Sequence, residues 1–226
     1  MKICFLDNSP IPYTANDLNS KEIRGAENAV INLSQELARF NHDVFVFNNC
    51  TESCIINDVK WNNLKNLNKN IVFDIVFTNN DIRLFEKILA KKFFAFSHSI
   101  QSLEKFVRKG QVLSYLKYKP KIILLGDYHN KNRNFLLKMF GTIDLQWAVD
   151  SIFLNTSLNE TIIEDRAIFT SRRDRNLDIL IKIWKEKIFQ KNKYIKLFTT
   201  PSDLIDNNFN IFSRNFGNKK SMVEDM

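Results

Sequence analysis

Residues 3–7 read ICFLD, residues 25–40 read GAENAVINLSQELARF, and residues 43–47 read DVFVF. The first and third segments are short and almost continuously apolar, which is typical of strands buried on both faces. The apolar residues of the middle segment fall three or four positions apart, on one face of a helix: Val30, Leu33, Leu37 and Phe40. A strand, a helix and a strand in this order predict a βαβ unit, and therefore a parallel sheet.

Asn41 stands between the predicted helix and the next strand. A helix often ends on a residue in the left-handed conformation, and Asn accepts that conformation more readily than most residues with a side chain. We therefore expect the first helix to end at Asn41.

The same pattern continues to about residue 150. Three further apolar runs are predicted as strands, at residues 71–77, 93–96 and 121–125. A short helix is predicted at residues 82–89, whereas residues 48–69 show no regular pattern. Alternating buried strands and helices predict a doubly wound α/β domain over residues 1–150, with right-handed crossovers and helices on both faces of the sheet.

The pattern restarts after a polar stretch. Residues 151–165 are predicted as a linker, and residues 166–226 as a second Rossmann-like domain. Its predicted elements are a strand at 167–170, a helix at 177–188, a strand at 194–198, a strand at 209–212 and the start of a helix at 219–226. About three strands are fewer than the ~5–6 of an average sheet, so we expect this second domain to be incomplete.

The composition favours a protein with a sizeable core. Hydrophobic residues make up 44% of the 226 residues, and no apolar run approaches the ~20 residues that cross a bilayer. The three cysteines cannot all pair, so we expect free thiols in a reducing cytoplasm. No metal is expected at Cys50 and Cys54, because no second pair of Cys or His residues completes a set of four ligands.

The formal net charge is +8. Such an excess can reflect an anionic partner, such as nucleic acid, a lipid surface or an anionic substrate, or a general bias in composition. The basic residues are not concentrated in one arm, and the aromatic residues lie in apolar strands and on helix faces. Nucleic acid is therefore not the expected partner, and contact with a membrane surface stays open.

Three arginines cluster where a strand is predicted to end and a helix to begin, in the segment Ser171-Arg172-Arg173-Asp174-Arg175-Asn176. A helix N-terminus carries partial positive charge, so cations there are unfavourable unless an anion lies among them. A diphosphate suits guanidinium groups, and ligands bind at the carboxyl ends of parallel strands in this class of fold. The alternative is a solvated turn in which Asp174 pairs with an arginine and caps the helix.

A second candidate is the segment Arg24-Gly25-Ala26-Glu27 at the start of the first helix. Gly25 would let a ligand approach the backbone, and the first N–H groups of the helix would face the carboxyl end of the first strand. The segment is not the G-x-G-x-x-G fingerprint, so a nicotinamide or flavin cofactor is not indicated. It is also compatible with an ordinary helix start, in which Glu27 interacts favourably with the helix dipole.

His98 is the third candidate, in the segment Phe96-Ser97-His98-Ser99. It follows a predicted strand, where a histidine can bind a ligand or act as an acid or base near neutral pH. The alternative is a polar loop residue without a role in chemistry.

In their order and spacing, these segments resemble the retaining glycosyltransferases of the GT-B fold, the family 4-like group that builds glycolipids and polysaccharides from sugar nucleotides. Residues 24–33 resemble the Gly-Gly-x-Glu loop and first helix of that group, with Arg24 in place of the first glycine. Residues 147–150, Trp-Ala-Val-Asp, are similar to its Asn-Gly-Val-Asp interdomain segment, and residues 167–180 to the opening of its second domain.

The resemblance implies roles for individual residues. His98 would be the catalytic-site histidine that contacts the transferred sugar, and Arg172 and Arg175 would hold the donor diphosphate. The donor would also be bound by the start of the first helix, at Gly25, Ala26 and Glu27. The resemblance implies a cytoplasmic transferase that uses a UDP- or GDP-sugar, with no further cofactor, and a glycan or lipid acceptor.

The family's glutamate-pair motif, which binds the donor's ribose and sugar, has no counterpart within residues 1–226. The alternative function is therefore a non-catalytic relative that binds a partner or a glycan. Self-association and peripheral contact with the inner face of the membrane stay open on this reading.

Overall fold

The computed structural model describes residues 1–18, 23–79, 81–99, 102–146, 148, 154, 165–171 and 176–199. The chain divides into two compact units, Met1–Val149 and Asp150–Met226. None of the helices in these ranges is both long and apolar enough to cross a membrane.

The first unit is built on an eight-stranded sheet. Its strands are β1 (Lys2–Asp7), β2 (Asp43–Asn48), β3 (Cys54–Ile56), β4 (Val59–Asn63), β5 (Val72–Asn79), β6 (Leu89–Ser97), β7 (Lys121–Leu124) and β8 (Thr142–Asp144). They lie in the order β3-β4-β2-β1-β5-β6-β7-β8. Every neighbouring pair is parallel except β3 and β4. The predicted α/β class with a mainly parallel sheet is thus confirmed, and it is compatible with a Rossmann-like fold.

Helices and short turns connect these strands. The helices are α1 (Gly25–Arg39), α2 (Leu103–Arg108), α3 (Val112–Tyr118) and α4 (Asp127–Lys131). Single 3-10 turns lie at Ala15–Asp17, Leu64–Asn66, Ile82–Lys87 and Phe135–Met139. The order of the strands shows that β1 is the strand from which the chain winds in both directions, to β2 on one side and to β5 on the other.

Both faces of the sheet are buried, as the apolar strands predict. Along β1 the side chains alternate between two cores, with Ile3 and Phe5 in one and Cys4 and Leu6 in the other. The first core also contains Val30, Ile31 and Ala38 of α1. The second contains Phe85, Phe106 and Tyr115, from the 3-10 turn at Ile82–Lys87, α2 and α3. Burial of each large apolar side chain contributes about 1.5–3 kcal/mol, so two such cores explain why the central strands tolerate few polar residues.

Several elements differ from their prediction. The residues from 48 to 69 contain β3 and β4, which sequence reasoning missed because β4 reads VKWNN and has no apolar run. Trp61 of that strand is nevertheless completely buried. The short helix predicted at 82–89 is present as a 3-10 helix, Ile82–Lys87, which ends earlier because β6 begins at Leu89. Phe40 was predicted on the buried face of α1 but is exposed, because it lies at the helix end beyond the sheet-facing stripe.

The second unit contains a parallel pair of strands, β9 (Arg166–Phe169) and β10 (Lys196–Thr199). Helix α5 (Leu177–Ile183) connects them and continues into one π-helical turn, Trp184–Ile188. The buried apolar residues of this βαβ unit are Leu177, Ile181 and Leu197. The predicted elements at 209–212 and 219–226 lie outside the described residues, as does the predicted linker apart from Leu154 and Asp165.

The end of α1 confirms the prediction for Asn41, whose φ is 60°. Its N–H donates to the carbonyl of Ala38 at 2.8 Å, and the N–H of His42 donates to the carbonyl of Leu37 at 3.2 Å. These two bonds form the Schellman motif, which satisfies carbonyl groups of the last turn.

We expect Asn41→Val to lower the free energy of unfolding by about 1–2 kcal/mol, because a β-branched residue is strained in the left-handed region. Asn41→Gly should preserve stability, since glycine adopts positive φ without strain. Urea denaturation would measure the stability of both variants. Asn66→Val is the control, because Asn66 is an exposed asparagine whose φ is not positive. Equal stability of Asn41→Val and Asn66→Val would contradict the assigned role of the backbone conformation.

Candidate functional site

The carboxyl ends of β1 and β5 lie side by side at the place where the direction of winding reverses. Asp7 of β1 and Asn79 of β5 are register partners there. In open α/β sheets this switch point is the preferred position for a ligand, because the connections on either side leave a crevice. The polar residues that gather at this edge, which we call the switch-point cluster, are Asp7, Ser9, Tyr13, Glu27, Asn79 and His98.

Asp7 is the centre of the cluster and is only 3% exposed. Its carboxyl group accepts hydrogen bonds from the backbone N–H of Ser9 at 3.0 Å, the Tyr13 hydroxyl at 2.7 Å and the Asn79 amide at 3.0 Å. Burial raises the pKa of Asp7, and these three donors oppose that shift. The side chain therefore links the end of β1 to the following loop and to β5.

Glu27 extends into the same region from the first turn of α1 and is 4% exposed. The Ser9 hydroxyl donates to its Oε1 atom at 2.6 Å. Its Oε2 atom is buried and accepts no hydrogen bond from the residues that the structure describes. A buried carboxyl oxygen without a donor is costly, by about 1–3 kcal/mol or more. The position therefore requires a donor that those residues do not supply.

His98 lies just beyond the end of β6, with its ring parallel to that of Phe96 at 6.1 Å between centroids. Its Nε2 atom is hydrogen-bonded to Oδ1 of Asn79. Because the Asn79 amide nitrogen already donates to Asp7, its oxygen must accept, and Nε2 of His98 must therefore carry the proton. Burial lowers the pKa of His98, although the charge of Glu27 opposes the shift. The ring is thus neutral near pH 7, with Nδ1 as its acceptor.

A second group of contacts fixes the chain just after β5. Arg83 makes two side-chain bonds to Asp81, at 2.9 and 2.7 Å, and the Asn8 amide donates to the same carboxyl group at 2.8 Å. Burial raises the pKa of Asp81, but the hydrogen bonds and charge of Arg83 outweigh burial, so the pKa is lowered overall. The Asp81 carboxylate is therefore saturated by its neighbours and acts as a structural anchor beside the cluster.

Of the helix-start residues predicted from sequence, Glu27 has contacts within the cluster. Gly25 is exposed, and a Cβ atom added there would meet nothing within 4 Å, so the space next to its backbone is open. Ala26 is half-buried in the same turn. The N-cap residue Arg24 has a guanidinium side chain, which only donates hydrogen bonds, so it does not cap the first N–H groups of α1.

Arg172 and Arg175, together with Arg173 and Asp174, lie outside the described residues. The structure does define what flanks them. Strand β9 ends at Phe169, and α5 begins at Leu177 after Asn176, whose φ is 68°. The arginine segment thus connects the carboxyl end of a parallel strand to the start of a helix, as the sequence predicts.

Sequence reasoning missed Asp7, Ser9, Tyr13 and Asn79 as members of the cluster. A usable signal existed for two of them. Asp7 and Asn79 are the last, polar residues of mainly apolar strands, and the carboxyl ends of neighbouring parallel strands meet at one edge. Ser9 and Tyr13 lie in an irregular loop, where no periodicity shows which side chain points inward.

The described residues contain no group of three or more His, Cys, Asp or Glu side chains that could hold a metal ion. The three cysteines are free thiols. No family model matches the sequence, and no curated protein matches it. The function must therefore be argued from the residues and their geometry.

The position of His98 predicts a specific dependence of stability on pH. Its folded-state pKa lies below the ordinary value of 6.5, so the unfolded chain takes up this proton first as the pH falls. The contribution of His98 is therefore fully present above about pH 6.5 and is lost below it.

We expect the free energy of unfolding of the wild type minus that of His98→Gln to decrease as the pH is lowered from about 7.5 to about 5. Glutamine can still donate to Asn79 but does not titrate, so the other ionisable groups largely cancel in this difference. Urea titrations at several pH values would measure it. A difference that stays constant or grows as the pH falls would show that His98 is not held neutral by burial.

Proposed function

We propose that this chain is a glycosyltransferase-like protein of the GT-B type, which transfers a sugar from a nucleotide-sugar donor to a glycan or lipid acceptor. The observation that carries the proposal is the switch-point cluster, in which Oε2 of Glu27 accepts no hydrogen bond from the described residues and the charge of Glu27 acts on the neutral ring of His98. Sugar hydroxyl groups both donate and accept hydrogen bonds, so a sugar can use both of these groups.

The members of the cluster divide into supporting and ligand-facing residues. Asp7 has three donors of its own, and it holds Tyr13 and Asn79 in place. Asn79 in turn fixes the proton on Nε2 of His98. Under the proposal, His98 hydrogen-bonds the transferred sugar, and Glu27 accepts from one of its hydroxyl groups through Oε2. Such preorganised polar groups act without rearrangement when charge develops on the sugar.

The start of α1 is suited to bind part of the donor next to the sugar. The space beside Gly25 is open, and the partial positive charge of a helix N-terminus attracts an anionic or polar group. We infer that Gly25 and Ala26 offer backbone N–H groups to the donor, while Glu27 of the same turn contacts the sugar.

In the second unit, the proposal assigns the donor diphosphate to Arg172 and Arg175. The βαβ arrangement of β9, α5 and β10 supports this assignment, because the arginine segment follows the carboxyl end of β9. Guanidinium groups match phosphate oxygens in pairs and would stabilise the charge of the leaving diphosphate. The domains of this proposal are residues 1–150, a linker at 151–165 and a donor-side domain at 166–226. No cofactor beyond the nucleotide sugar is required.

Calorimetric titration with UDP, GDP and ADP tests the proposal. We expect one of these nucleotides to bind, and Arg172→Ala to weaken that binding about tenfold or more, because a charged hydrogen bond to phosphate contributes about 1.5–3 kcal/mol. Arg39→Ala is the matched control, since Arg39 is an exposed residue paired with Glu36.

The melting temperature should change little in both arginine variants. An equal loss of affinity in Arg39→Ala would point to a nonspecific charge effect. Absence of binding by all three nucleotides would contradict the proposal that this chain holds a donor, and would favour a relative that binds a glycan or a partner without transfer.

A further inference from the structure

A small open pocket of about 40 Å³ adjoins the switch-point cluster. The two chain neighbours of His98, Ser97 and Ser99, line it together with apolar residues such as Phe96 and Phe106. Helix α2 and the turn after it contribute Lys105, Lys109 and Gln111.

The charged side chains of the pocket are all positive. Two lysines line it, and no Asp or Glu is among its lining residues. The ion pairs of the described residues involve Arg39, Lys60, Arg83 and Lys91, so Lys105 and Lys109 are not neutralised there. Burial, and after it the charges of Lys109 and Arg108, lower the pKa of Lys105. The two lysines that line the pocket repel each other, and an anion bound there would relieve that repulsion.

A neutral group of the pocket is also suited to an anion. The Lys105 ammonium group donates to Oγ of Ser99 at 2.5 Å, so that hydroxyl group can direct its own proton to a ligand. The Ser97 hydroxyl donates to the carbonyl of Ser99 at 2.9 Å, and the Gln111 amide donates to Asp81 at 3.4 Å, so neither is counted as a donor to the ligand. Two ammonium groups and the Ser99 hydroxyl around a small volume match a compact tetrahedral anion with several acceptor oxygens.

We propose that this pocket, formed by Ser97, Ser99, Lys105 and Lys109, is a binding site for a phosphate group. The site stands on the geometry of the pocket alone. Its assignment to a phosphate carried by the acceptor rests on the proposed function, in which the first unit is the acceptor side.

The phosphate has two conceivable sources, a soluble phosphate ester and the headgroup of a lipid. Val107 and Leu113 are 68% and 80% exposed on the same two helices, α2 and α3. Exposed apolar side chains on the same helices as cationic side chains are a combination that attaches proteins to anionic membranes. Both sources present the same chemical group, so the experiment needs one arm for each.

The first arm is calorimetric titration of the full chain with glycerol 3-phosphate. We expect Lys105→Gln and Lys109→Gln each to weaken binding about tenfold or more. Lys65→Gln, which removes an exposed lysine from a different part of the unit, should bind as the wild type does. Because Lys109 is exposed, Lys109→Gln tests the site even if the Lys105 variant folds poorly.

The second arm measures cosedimentation with vesicles of phosphatidylcholine, with and without phosphatidic acid. Binding that requires phosphatidic acid and falls in Lys109→Gln and in Leu113→Ser would identify the lipid as the source. Binding of glycerol 3-phosphate alone would identify a soluble ester. Equal binding by the wild type and both pocket variants in both arms, or no binding in either arm, would overturn the proposal.

These two experiments test the phosphate site separately from the proposed nucleotide-sugar donor site. A chain that binds phosphate through Lys105 and Lys109 but binds no nucleotide would keep this site and lose the proposed function. A chain that binds a nucleotide through Arg172 but binds no phosphate at the pocket would keep the proposed function and lose this site.

Discussion

The hydrogen bonds to the buried carboxyl group of Asp7 are the interactions on which the site depends. A buried carboxyl group without partners would cost several kcal/mol. The N–H of Ser9, the hydroxyl of Tyr13 and the amide of Asn79 reduce that cost. The same bonds connect the end of β1 to the next loop and to β5. The hydrogen bonds of Asp7 therefore hold the ends of β1 and β5 together and also position the other residues of the switch-point cluster.

The two buried acids of the cluster differ in how many hydrogen bonds they accept, and this difference assigns a structural role to Asp7 and a binding role to Glu27. Asp7 is surrounded by donors of its own chain, whereas Glu27 has a donor on Oε1 and none on Oε2 among the described residues. Natural proteins retain such an incompletely satisfied group mainly where function requires it. The carboxyl end of the sheet thus carries two kinds of polar group. One is the set of neutral or acidic side chains around His98, and the other is the pair of lysines that lines the pocket.

Much of the fold could be predicted from the sequence because its central strands are buried on both faces. The runs within β1, β2, β5 and β7 are mainly apolar, and the left-handed Asn41 ends α1 where expected. Strand β4 was missed because it lies nearer the sheet edge and has no apolar run. In the site, Glu27 could be proposed because it lies at a helix start, and His98 because it follows a strand. Tyr13 could not, since its contact with Asp7 depends on the path of an irregular loop.

The central claim is that the switch-point cluster is the ligand-binding part of the first unit. The chain has three histidines, His42, His98 and His129, and of these His98 belongs to the cluster. Their ring nitrogen and proton resonances can be followed by NMR during titration with a UDP-sugar and a GDP-sugar, with His42 and His129 as internal controls. We expect one of these ligands to shift the resonances of His98 and to leave those of the other two rings unchanged. Unchanged His98 resonances at saturation, or equal shifts in all three rings, would contradict it.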